Sequence, residues 1–311
     1  MSILSTPKVA AVLARLMQGT VSIAARKVDR RNRNVFPEFP GNTRDITIPT
    51  TVAPARAVVY LPASADPRPP VHVNFHGGGY LMRGVQFDDP LCRYLAAEAG
   101  VVVVNVDYVV APQHQFPAPP HQAFEVVRWV AEHGGEQGWD GDRLTVGGQS
   151  AGGGLAAAVA RQGLEQGGPP IALQVLHYPP LDIATSGKDK SSVIAKPALR
   201  PWMSEVFDSA YLPDPAARTN PLASPANPAD TADLTGIAPA LVITAELDLL
   251  NAEGRRYAER LRKAGALVEH EDVPAADHGY DMKDVEKARQ TYALIAHAIT
   301  QATQASKPSP V

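Results

Sequence analysis

Apolar positions in this chain come mostly in short unbroken runs. Residues 71–75, 101–106, 144–146, 171–176 and 241–245 read as strands buried on both faces, with a further strand at 267–273. Helical patterns lie between them, at 87–99, 120–133, onward from Leu155, at 251–264 and at 285–300. In the second of these, Phe124, Val127 and Val130 share one face. Strands and helices in this alternation predict a mainly parallel sheet covered by helices on both sides. Two earlier segments, 43–48 and 56–61, alternate in polarity across a Pro/Thr turn and predict strands at the sheet edge.

Two regions fall outside this rhythm. Residues 182–239 lack strand signals and are crowded with Pro, Ser and Asp; they hold one good helical pattern, at 201–211, with Trp202, Val206 and Phe207. An insertion this long between two sheet strands predicts a lid. At the other end, residues 1–18 form an amphipathic pattern carrying Val9, Leu13, Leu16 and Met17. Its apolar core is too short for a secretory leader, so it predicts a helix packed on its own protein. The basic run Arg26, Lys27, Arg30, Arg31 and Arg33 reads as a solvated face, and the helix breaks at Phe36-Pro37. The polar tail, 301–311, is expected to fray. The division that follows is a catalytic core at 42–181 and 240–311, and a helical cap at 1–41 and 182–239.

Composition narrows the class. The chain has 311 residues, of which 45% are hydrophobic and 20% charged, enough for one large core. A net charge of −3 gives no pull toward nucleic acid or anionic membrane. No apolar run is long enough to span a bilayer. The single cysteine, Cys92, rules out an intrachain disulfide and points to the cytoplasm. There is no metal-type Cys/His spacing, and neither a metal nor a cofactor is expected.

The chemistry centres on Val146-Gly147-Gly148-Gln149-Ser150-Ala151-Gly152-Gly153-Gly154. A G-x-S-x-G turn between strand and helix strains its serine and lifts the hydroxyl clear of the sheet. The glycine spacing also fits a phosphate loop, but Gly154 and Leu155 stand where that loop needs Lys and Ser/Thr. Alone, the motif serves equally as a packing corner, so the partners decide. Of nine histidines, His278 lies in a glycine-containing loop directly after the last strand, where a base belongs. Asp248, past the strand at 241–245, is the matching carboxylate; Glu246 suits a supporting hydrogen bond better. The order Ser150, Asp248, His278 is the one expected of α/β-hydrolases. His76-Gly77-Gly78-Gly79 follows the strand at 71–75, and its free N–H groups, with that of Ala151, would form an oxyanion hole.

These motifs resemble the hormone-sensitive-lipase-like esterases, a branch of the α/β-hydrolases. The likeness extends through Asp107-Tyr108, Ala111-Pro112, Phe116-Pro117-Ala118, Tyr178-Pro179 and Asp182. It implies an eight-stranded, mostly parallel sheet flanked by helices, with a helical cap. It further implies Ser150 as nucleophile, Asp248 as orienting acid, and His278 as base. Gly78, Gly79 and Ala151 would supply the oxyanion donors, with His76 and Gly77 bracing that loop. The expected protein is a serine carboxylesterase for small acyl esters, with a homodimer possible and no nucleic-acid partner. An amidase or peptidase with the same triad is the alternative; a ligand-binding homologue is disfavoured because His278 is present. Two positions depart from the family: Gln149 stands where Asp is usual, and Gln113 where Glu is usual. Carboxylates near the nucleophile are thus expected to be replaced by amides. Leu13, Met17, Trp202, Val206 and Phe207 are candidate pocket walls, with packing an equal alternative for each.

Overall fold

The computed structural model describes residues 6–32 and 34–305, and the side chains of all of these except 21–30. In chain order the elements are α1 (Pro7–Asn32), β1 (Thr43–Ile48), β2 (Ala55–Tyr60), β3 (Pro70–Phe75), α2 (Asp89–Glu98) and β4 (Val102–Asp107). Then come α3 (Ala118–Glu132), α4 (Gly134–Gln137), β5 (Asp140–Gln149), α5 (Ala151–Gln166), β6 (Ile171–His177) and α6 (Pro201–Tyr211). The chain closes with β7 (Ala240–Ala245), α7 (Asn251–Lys263), β8 (Leu267–Val273) and α8 (Val285–Ala305).

The strands form one eight-stranded sheet in the order β1-β2-β4-β3-β5-β6-β7-β8. The β1–β2 and β2–β4 pairs are antiparallel, and all the others are parallel. Side chains alternate across the sheet. On one face Val71, Val73, Phe75, Val104 and Val106 pack with Val127, Leu155 and Tyr257 from α3, α5 and α7. On the other, Val103, Val175 and Ile243 pack with Leu95 of α2 and Ile295 and Ile299 of α8. Both faces are therefore buried, which is why the strands read as continuous apolar runs.

Three elements differ from the sequence reading. β5 continues through Gly147, Gly148 and Gln149, well past the apolar triplet at 144–146. Glycine is a poor strand former, but both neighbours hold it here: Gly147 pairs with Asn74 and with Val175. α8 runs on to Ala305, so residues 301–305 are helical, with Thr303 buried and donating to Ile299 O at 2.9 Å. α1 is one helix reaching Asn32. The basic side chains at 26, 27, 30 and 33 lie outside the described residues; Arg31 is exposed, and its guanidinium donates to Met282 O.

The strandless segment after β6 is held down by charge. Glu253 of α7 accepts the Leu181 N–H at 2.8 Å and pairs with Lys190 at 2.7 Å, both side chains being buried. Arg256 reaches Asp182 at 2.9 Å, and Asp230 is shared by Arg161 and Arg260 at 3.0 and 2.9 Å. A pair buried on both sides, like Lys190–Glu253, fixes geometry more than it adds stability, and breaking one side strands a charge. These contacts order a segment that lacks a sheet partner. α6 then packs against α1, and its Met203 and Phe207 overhang the C-terminal ends of the parallel strands.

Candidate active site

Ser150 sits between β5 and α5 with φ 50° and ψ −121°. A non-glycine residue at positive φ is strained by about 1–3 kcal/mol and persists only where the surroundings impose it. They do so here by close approach: a Cβ on Gly152 would collide with the Phe75 carbonyl. The strain turns the serine hydroxyl away from the helix and toward β8. Ser150 Oγ lies 2.9 Å from His278 Nε2. His278 Nδ1 lies 2.7 Å from Asp248 Oδ2. A carboxylate only accepts, so Nδ1 carries the proton and Nε2 is free to accept from Ser150. Asp248 is 3% exposed, and its Oδ1 accepts the Leu250 N–H at 3.1 Å.

The three residues come from the ends of β5, β7 and β8, where an open parallel sheet places its ligands. Burial opposes charge on His278, but the charge of Asp248 and its hydrogen bond outweigh that, with Asp277 and Asp281 adding to them. Proton affinity of the ring is thereby raised above the ordinary 6.5. The loop bearing His278 is braced twice. Glu246 accepts the Ala275 N–H at 2.7 Å. Asp277 accepts the His278 N–H through Oδ1 at 2.7 Å and the Ala198 N–H through Oδ2 at 2.6 Å.

The glycine loop after β3 passes beside Ser150. A Cβ on Gly77 would stand 3.3 Å from Gln149 O and 3.7 Å from Ser150 Cβ. Gly79 has φ 61°, and a Cβ there would come within 2.7 Å of the Phe207 ring. Gly79→Ala is therefore expected to displace the loop from Phe207 and lower kcat on the order of 10²-fold, the scale of a lost oxyanion donor. Steady-state kinetics would check this, with an unchanged kcat sinking it. His76 is fully buried and stacks on Tyr108 at 4.4 Å; its Nδ1 lies 2.7 Å from Gly77 O. Burial lowers its pKa. It touches the loop and lies away from Ser150 Oγ.

Gln149 is where the sequence expectation changes. Its amide donates to Asp281 Oδ2 at 2.5 Å. Asp281, 5% exposed, also accepts Tyr178 OH at 2.6 Å and Tyr292 OH at 2.8 Å. A carboxylate does stand beside the Ser150 turn, supplied from the segment after His278. Gln113 instead pairs with Gln18 of α1 at 2.8 Å, and Gln18 donates to Leu81 O and Ala111 O at 2.7 and 2.9 Å.

A cavity of about 270 Å³ opens onto Ser150 and His278. Its apolar walls are Met82, Phe87, Tyr178, Leu199, Met203 and Phe207. Of the five candidate wall residues, Phe207 alone lines it. Val206 is fully buried in the main core, Leu13 packs against that core, and Trp202 is half exposed. Met17 is absent from the lining. Adjacent residues on one helix point about 100° apart, and apolar character does not say which direction is cavity. A larger cavity of about 540 Å³ lies between Gln18, Arg56, Arg83 and Asp107 and includes none of the three residues above.

Comparison with known proteins fits this geometry. Residues 72–282 match the family model described as alpha/beta hydrolase fold, and the chain belongs to that family, in its hormone-sensitive-lipase-like branch. It is 35% identical to Carboxylesterase NlhH of Mycobacterium tuberculosis over 245 residues, 79% of this chain and 74% of that one. It is 33% identical to Esterase LipI of the same organism, covering 92% of this chain and 86% of the relative. Among solved structures, an esterase of Pyrobaculum calidifontis superposes with a TM-score of 0.80 at 33% identity, covering 92% and 94% of the two chains. The chain is accordingly a carboxylic ester hydrolase. Among the described residues no helix is long and apolar enough to cross a membrane.

Proposed function

We propose that ester hydrolysis runs through Ser150, His278 and Asp248, with residues 182–239 and the N-terminal helix acting as a cap over a core of 42–181 and 240–311. His278 Nε2 takes the proton as Ser150 Oγ attacks the ester carbonyl. The N–H groups of Ala151, Gly78 and Gly79 receive the negative oxygen. The tetrahedral intermediate collapses, and the alcohol leaves with the proton from His278. Water then attacks the acyl-serine, giving its proton to His278, and the acid departs as Ser150 recovers the proton. Asp248 holds the ring in one tautomer throughout and stabilises its charged form.

The observation that carries this reading is the unbroken hydrogen-bond chain from Asp248 through His278 to Ser150, ending at the cavity. A cavity of about 270 Å³ walled by Met, Phe and Leu side chains suits short to medium acyl arms. The buried, unpaired Cys92 fits the cytoplasmic setting proposed for the enzyme. A series of nitrophenyl esters of increasing acyl length is the test: kcat/KM should peak at a short or medium chain. A wild type no faster than Ser150→Ala on every ester removes the reading.

The pH profile follows from the raised proton affinity of His278. The base works only when neutral, so activity is absent at low pH and rises through the His278 ionisation. The rise is expected above the ordinary 6.5 because Asp248 favours the charged ring. The measurement is kcat/KM against pH between about 5 and 9. A flat profile with chemistry rate-limiting would remove His278 from the role.

A further inference from the structure

One group in the cavity has no task in that reaction. Asp88 lies among the walls with Gly77, Met82 and Phe87, and it is 1% exposed. It directly precedes α2, where an aspartate ordinarily accepts from the first helical N–H groups. Asp88 makes no such cap. Its side chain turns to the sheet, where Oδ2 accepts Asn74 Nδ2 at 3.0 Å. The same Nδ2 donates to Asn105 Oδ1 at 3.0 Å, Asn74 and Asn105 being register partners on β3 and β4. Both amide protons of Asn74 are thus used. Asp88 Oδ1 is buried and has no hydrogen-bond partner among the described residues. Burial pushes this carboxyl up to about 7, with Asn74 and the nearby backbone N–H of Gly77 pulling the other way and the charge of Asp281 reinforcing the rise.

A buried oxygen of this kind is expensive to leave alone. A hydrocarbon arm filling the cavity would seal Oδ1 in beside apolar walls. An arm bearing a hydroxyl would supply the missing donor. Sites with an unpaired buried polar group discriminate against the substrate analogue that cannot pair it. We propose that the cavity takes esters with a hydroxyl on the acyl or the alcohol arm, and that Asp88 is the acceptor for it. This rests on Ser150 being the nucleophile in the same cavity.

The test uses two pairs of esters with the intact enzyme. Nitrophenyl butyrate is set against nitrophenyl 3-hydroxybutyrate for the acyl arm, and ethyl butyrate against 2-hydroxyethyl butyrate for the alcohol arm. The readout is the ratio of kcat/KM within each pair, so a general loss of activity divides out. Wild type is expected to favour the hydroxylated ester by about tenfold or more in one pair. Asp88→Leu and Asp88→Ala are expected to abolish that preference. A wild type favouring the plain ester in both pairs overturns the proposal whether or not the variants fold. A preference that survives in either variant overturns it too. Hydrolysis of both plain esters without the hydroxyl preference removes this inference and leaves the esterase reading standing. Failure on all four esters, at the Ser150→Ala background, sinks both.

Discussion

Ser150→Ala is expected to lower kcat on the order of 10⁵–10⁶-fold while leaving the fold intact. The side chain loses one oxygen, and among the described residues the one side-chain hydrogen bond lost is that to His278. The strained φ of 50° is imposed by the crossing of Phe75 and Gly152 and stays in place with alanine. What disappears is the atom proposed to bond to the acyl carbon; the Tyr178 hydroxyl, the other one in the cavity lining, is committed to Asp281 Oδ1 at 2.6 Å. Residual turnover would come from the donors of the glycine loop acting on a carbonyl attacked by water. Steady-state and single-turnover kinetics on a nitrophenyl ester would measure the loss. A variant retaining more than about 1% of wild-type kcat would mean the acyl group never rests on Ser150.

Asp248→Asn is expected to be the next most severe change, at about 10⁴-fold in kcat. The amide is nearly isosteric, so packing around a residue 3% exposed is preserved. The Leu250 N–H takes the carbonyl oxygen as its acceptor, which aims the NH₂ at His278 Nδ1. Nδ1 must then accept, the ring proton moves to Nε2, and Nε2 no longer takes a proton from Ser150. The loss should appear in kcat with little change in KM, because Asp248 lies behind His278 and outside the cavity lining. A KM effect without a kcat effect would place Asp248 in substrate binding instead.

The sheet was legible because its central strands are buried on two faces and therefore spelled in unbroken apolar letters, while β1 at the edge alternates exposed and partly covered positions. The exception is instructive: the last three residues of β5 carry no apolar letter, being held by neighbours on both sides. Ser150, Asp248 and His278 were legible because chemistry restricts which residue types can stand at strand ends. Asp281 was missed. It lies 132 residues from Gln149, and no periodicity links a loop aspartate to the turn it braces. Asp277 and Asp88 were missed for a like reason: each has a contact to another segment, Ala198 and Asn74 respectively, that no periodicity announces. Only the adjacency of Asp277 to the candidate base could have drawn attention to it. The cavity walls were the least legible, because Val206 and Phe207 are both apolar neighbours on α6, yet one fills the core and the other lines the cavity.

The two-handed grip of Asp277 makes the wall and the base one mechanical unit. One oxygen holds the backbone of His278 and the other holds Ala198, next to the wall residue Leu199. An acyl arm too long for the cavity that pushes Leu199 outward would drag on the same carboxylate that holds the His278 loop. Ser150 and His278, 2.9 Å apart at rest, would then be pulled out of line. An oversized ester that binds well is therefore expected to be processed slowly, the length limit showing in kcat as well as in KM.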